Sequence, residues 1–144
     1  MEGTAGRGGK AANVGAAIFG DGIHAMICMI LFGSTKMIYR IAEQADWQNA
    51  RDAGYFASAD LTREGFIHCS EKHQILSTAA KYYTGKKNLK LLEINEAKIA
   101  AHIKREDSTG RGEMFPHVYA RVPLAAIARE FDFVETLAGF VLPF

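Results

Sequence analysis

The segment Glu64-Gly65-Phe66-Ile67-His68-Cys69-Ser70, with the run Glu71–Tyr83 that it leads into, constrains this chain more than any other stretch. Gly65 opens it, the β-favouring Phe66 and Ile67 carry it, and His68-Cys69-Ser70 closes it with polar side chains. The period then changes. Ile75, Leu76, Ala79, Ala80, Tyr82 and Tyr83 recur at helical spacing until Gly85 stops them. A strand that hands polar residues to a helix start leaves free N–H groups aimed at whatever binds there. Ser70 is the expected N-cap, and Glu71 adds a favourable charge in the first turn. Alternation places Phe66, His68 and Ser70 on one face and Ile67 and Cys69 on the other. An imidazole and a hydroxyl thus share a surface, while the thiol sits among apolar neighbours.

Short elements flank this segment. Met37–Ala42 reads as a strand whose one charge is Arg40. Asp46 is expected to cap a helix over about residues 47–53, with Trp47 and Ala50 inward and Gly54 as its stop. Tyr55–Ala57 reads as a short strand or extended link, and Ser58–Leu61 as a turn. Beyond Gly85, Leu89–Ile94 is a half-buried strand, and Asn95 caps a short helix, or one turn of it, to about Ala101. Ile103–Glu106 is extended, and Asp107–Glu113 is a flexible loop by its residue types. Pro116 argues against a central strand at its own position, although His117–Val122 alternates well. Pro123 starts a short helix to about Ala128, Phe131–Val134 is a last strand, and Leu137–Phe144 is an apolar tail. Strands and short helices without βαβ regularity predict an α+β fold.

Residues 1–36 differ from everything after them. Gly and Ala dominate their first half, and Ile23–Phe32 runs almost unbroken in apolar residues. That run is too short to span a membrane, and Asp21 and His24 interrupt its approach. Arg7 and Lys10 could serve as the basic region of a signal peptide, but no small-x-small cleavage site precedes Met37. Upstream sequence ahead of a true start at Met37 is the alternative. The domain is therefore expected over residues 37–137, after an N-terminal extension (1–36) and before a tail (138–144).

Lys and Arg (17) nearly balance Asp and Glu (16), so no strong field invites nonspecific nucleic-acid binding. A small phosphorylated ligand held by a few local cations fits that balance. Cys28 and Cys69 are too few for a disulfide framework and predict reduced thiols in the cytoplasm. Cys69 and His68 point apart as strand neighbours, so a thiol mechanism needs His73 or His117 to approach in space; a buried structural thiol is simpler. His68, Cys69, His73 and His117 hold donor atoms but make no closed four-ligand pattern, so no metal is expected.

Several blocks carry a resemblance. Met37-Ile38-Tyr39, Trp47, Gly54-Tyr55, Gly65-Phe66-Ile67-His68-Cys69-Ser70, Gln74, Leu91-Leu92, Glu106 and Phe115-Pro116-His117-Val118-Tyr119 together are similar to a bacterial family, the domain of unknown function 952 family. The resemblance covers roughly Met37 to Glu135. It implies an ADP-ribosyltransferase-like fold, in which two small antiparallel sheets grip a dinucleotide between them. The Val-His-Leu-Ser block of tRNA 2′-phosphotransferases, which share that fold, is similar to Ile67-His68-Cys69-Ser70. In such enzymes a first-strand residue meets ribose or phosphates, a later strand residue aligns the nicotinamide ribose, and a Glu activates the acceptor.

Carried over by motif, Arg40 takes the first position, and His68 and Ser70 the second. Glu106 is the expected catalytic carboxylate beside His68, with Glu113 as its alternative. Arg40, Ser70, Gln74, Phe115, His117 and Tyr119 are the expected ligand-binding residues. Arg40 departs from the family's Ile-Tyr-His-Ile, which favours anion binding over proton transfer there. The implied ligand is NAD or a related nucleotide, as a substrate rather than a resident cofactor. ADP-ribosyl or 2′-phosphate transfer is the implied reaction, and its acceptor is unassigned. A non-catalytic binding module with a degenerate cleft is the alternative.

Overall fold

The computed structural model describes residues 35–144. The expected N-terminal extension, except for its last two residues, lies outside them, as do Ile23–Phe32 and Cys28. Residues 36–144 form one compact unit of mixed α and β structure, with antiparallel sheets and few helices.

The main sheet has the order β1-β4-β8, from β1 (Met37–Glu43), β4 (Leu89–Asn95) and β8 (Ile127–Phe133). Its central strand β4 is mostly buried on both faces, with Leu89 and Leu91 on one and Leu92 and Ile94 on the other. Alternation deals its side chains, with those of β1, into two cores. Ile38, Ala42, Leu92 and Ile94 join Trp47 and Phe56 on one side, while Tyr39, Ile41, Leu89 and Leu91 join Ile75 and Ala79 on the other. Each fully buried aliphatic side chain contributes about 1.5–3 kcal/mol.

The second sheet has the order β3-β6-β5, from β3 (Ile67–His68), β5 (Ile103–Glu106) and β6 (Phe115–Val118). Two small pairs complete the strands: β2 (Tyr55–Phe56) with β7 (Val122–Pro123), and β9 (Glu135–Thr136) with β10 (Gly139–Phe140). The helices are α1 (Gln44–Ala53), α2 (Ala59–Glu64) and α3 (Ile75–Tyr82). None of the helices described is long and apolar enough to cross a membrane.

One bridge joins the two larger sheets. Tyr39 and Ser70 exchange both backbone hydrogen bonds, at 2.9 and 2.8 Å, just beyond the end of β3. This bridge also corrects the expected cap. With Ser70 still engaged as a strand, the helix cannot begin on it, and capping passes to Glu71. Glu71 and Gln74 form a capping box around a 3₁₀ turn, Lys72–Gln74, which leads into α3.

Other boundaries moved for physical reasons. α1 starts at Gln44, which places Asp46 in its first turn rather than at its cap. The turn expected at Ser58–Leu61 is instead the entry to α2. Pro116 lies within the central strand of its sheet. Its carbonyl accepts the Cys69 N–H at 3.0 Å, so its missing donor falls on the β3 side, where that ladder is already ending. The helix expected over 123–128 is a single 3₁₀ turn, and β8 begins at Ile127. That register sets Arg129 across from the buried Glu93, with Nε–Oε1 at 2.7 Å and Nη2–Oε2 at 2.9 Å. The tail is packed, with Phe140 stacked on Phe133 and Phe144 on Tyr39.

Candidate functional site

His68 sits where β3 parts from β1. Cys69 donates its N–H to Pro116 on the β6 side, so strand alternation turns the backbone groups of His68 toward the gap. No strand meets them there. The His68 N–H donates to Asp60 Oδ2 at 2.9 Å, and the His68 carbonyl accepts from Arg40 Nη1 at 2.9 Å. Arg40 Nη1 also donates to Asp60 Oδ2 at 2.9 Å. A buried ion pair thus replaces the ladder at the point where the sheets diverge.

Asp60 accepts from further donors at the start of α2. Oδ2 also faces His68 Nδ1 at 3.0 Å, and Oδ1 accepts from Leu61 N at 3.1 Å and from the Ser58 hydroxyl. Burial pushes the Asp60 carboxyl up, but the His68 hydrogen bond, the Arg40 charge and the remaining donors outweigh it and hold it well below the usual carboxylate range. An ionised carboxylate only accepts, so His68 meets Asp60 with a hydrogen on Nδ1. His68 Nε2 lies 3.7 Å from Glu64 Oε1, and the side chain is 41% exposed.

A second imidazole faces it. His117 is the direct cross-strand partner of His68, and the two ring centroids lie 5.3 Å apart. His117 Nδ1 meets Glu106 Oε1 at 3.1 Å, and the Tyr119 hydroxyl donates to the same oxygen. Tyr119 and then His117 lower the Glu106 carboxyl, and Glu106 in turn raises the Tyr119 phenol. The His117 side chain is 1% exposed, and its Nε2 is buried with no partner among the described residues. Phe66 stacks on the His117 ring at 4.1 Å and tilts against His68 at 4.8 Å, which fixes both planes.

These groups open onto a cleft of about 1040 Å³. Arg40, His68, Ser70, Phe115 and His117 all line it, so five of the eight expected catalytic and ligand-binding residues come together. Glu106, Tyr119 and Gln74 do not line it. Glu106 and Tyr119 reach it through His117. Gln74 is buried, and its Nε2 donates to Glu113 Oε2 at 3.0 Å and to the Met114 carbonyl at 2.9 Å, which ties the 107–113 loop to the 3₁₀ turn before α3. Asp107 organises that loop by accepting the backbone N–H groups of Thr109, Gly110, Arg111 and Gly112. Glu113, the alternative carboxylate, lines the cleft.

Sequence reasoning missed Asp60. Its signal, an acidic residue two positions after Ser58 at a helix start, is that of ordinary helix capping. Only the fold shows that His68 closes on it. Cys69 is buried, and burial pushes its thiol up to about 12, an environment that suits an inert thiol and not a nucleophile. Among the described residues, no group of three His, Cys, Asp or Glu side chains is placed to hold a metal ion.

The family described as protein of unknown function (DUF952) matches residues 41–130, and the chain is a member of it. The crystal structure of protein CC0527 from Caulobacter crescentus is similar at 36% identity and a TM-score of 0.67, covering 73% of this chain and 92% of that one. The solution structure of the same protein has a TM-score of 0.64 at 36% identity, covering 72% and 90%. No curated protein matches the chain.

Proposed function

We propose that the cleft binds NAD or a related nucleotide, that the fold is ADP-ribosyltransferase-like, and that His68 is the working group in transfer of an ADP-ribosyl or 2′-phosphate unit. The observation that carries this reading is the setting of His68 in the split, with its backbone held by Arg40 and Asp60, its Nδ1 on Asp60 and its side chain 41% exposed. A carboxylate-oriented imidazole with a free Nε2 is the arrangement of a general base. With NAD, the acceptor oxygen attacks C1′ while the C1′–N bond breaks and its electron pair neutralises the departing nicotinamide. His68 Nε2 takes the acceptor's proton. Ser70 and Phe115 complete the ligand wall with Arg40, and Glu106 acts through His117 as a positioning residue.

The experiment is nicotinamide release from NAD by the full chain and by His68→Ala, each with a binding isotherm. Release by the wild type, lost in a folded His68→Ala variant, supports the transferase. A second reading, a binding module without turnover, is favoured by the charge compensation of Arg40 by Asp60, which weakens its hold on a phosphate. Saturable binding with no release would select it.

A further inference from the structure

We propose that Phe144 is a strap across the seam between the two larger sheets, and that its docking governs how firmly Tyr39 holds Ser70 beside the cleft. The ring touches both sides of that seam. On the main-sheet side it stacks on Tyr39 of β1, with centroids 5.6 Å and planes 25° apart, and it tilts against Phe131 of β8 at 5.2 Å. On the other side Lys72 Nζ lies 5.1 Å from the ring centroid, and Lys72 stands two residues past Ser70. The Arg129 guanidinium lies 5.7 Å from the same centroid while it holds the buried Glu93.

The place of these contacts gives them their consequence. Among the described residues, the two hydrogen bonds between Tyr39 and Ser70 are the one backbone bridge from the main sheet to the second. Both residues line the cleft, and Ser70 is two positions from His68. An isolated bridge has no flanking rungs to hold it shut, so the side chains around it decide how often it opens. Tyr39 is held from within by its hydroxyl, which donates to Glu93 Oε2 at 3.1 Å, and from without by the Phe144 ring. Phe144 belongs to no helix or strand and keeps 40% of its surface exposed, so it can lift while both cores keep their packing. The strap acts on the cleft wall whatever ligand the cleft takes.

The test is native-state hydrogen exchange on the ¹⁵N-labelled full chain and on Phe144→Ala, Phe144→Tyr and Lys72→Ala. The Tyr39 and Ser70 amides report the bridge directly, because each donates to the other residue's carbonyl. Phe144→Ala should speed their exchange about threefold to tenfold, the loss expected for one aromatic pair. Amides of β4, at the centre of the main sheet, should change much less. Phe144→Tyr keeps the ring and should hold the wild-type rates, while Lys72→Ala should speed the same two amides by a smaller factor. Unchanged Tyr39 and Ser70 rates in Phe144→Ala would overturn the strap. Equal acceleration of the β4 amides would overturn it too, since that outcome marks Phe144 as a contributor to global stability alone.

Discussion

Asp60 is the residue on which the site turns, because three of its five donors come from Arg40 and His68. Replacing it with Asn leaves the Arg40 guanidinium buried without its counter-charge. Removing one partner of a buried pair costs about 3–5 kcal/mol, and urea unfolding of Asp60→Asn at neutral pH should show a loss of that size. The sign of the pH effect follows from the lowered carboxyl. A carboxyl held below its unfolded value of about 3.9 stabilises the fold fully above that pH and ceases to as the pH falls through the folded value. The gap between wild type and Asp60→Asn should therefore narrow below about pH 4 and hold steady above it. At this scale the sequence was half legible. His68 stood out because a polar triplet ended an apolar strand, and His117 through the Phe115-Pro116-His117 block of the family resemblance. Asp60 did not, since its partners lie 8 and 20 positions away and only the fold brings them together.

Elements meet the site through their ends. Gly65 terminates α2 with φ +88° and delivers His68 to the cleft and Phe66 to its stack on His117; a Cβ there would meet nothing within 4 Å. Gly65→Ala should therefore cost only the left-handed backbone penalty, about 1–2 kcal/mol by denaturant unfolding. A larger loss, or displaced His68 signals, would mean that the residue is packed as well as turned. β1, α1, β4 and β5 were readable because their apolar spacing is local. The ends of elements were less so, because tertiary pairing decides them. Ser70 lost its cap to the bridge with Tyr39, and the expected helix at 123–128 gave way to a strand that brings Arg129 to Glu93.

For the whole molecule, two cores form among the described residues, with β1 and β4 supplying side chains to each. A fragment spanning Thr35–Phe144 should therefore unfold at the same denaturant midpoint as the full chain. It should begin before Met37, because the Lys36 carbonyl accepts the Glu96 N–H at 3.1 Å. A lower midpoint would place part of the stabilising structure in residues 1–34. The mixed α/β class was legible in the absence of a βαβ rhythm, whereas the parting of the two sheets was not, because it depends on pairings between distant segments.

The parting of β1 from β3 is proposed as a nucleotide site built on His68. An amide-shift titration of the ¹⁵N-labelled full chain with ADP-ribose tests it most directly. Saturable shifts at Arg40, Asp60, His68, Ser70 and His117, absent in a folded His68→Ala variant, are the predicted result. Saturable shifts confined to other surfaces, or none at all, would contradict it.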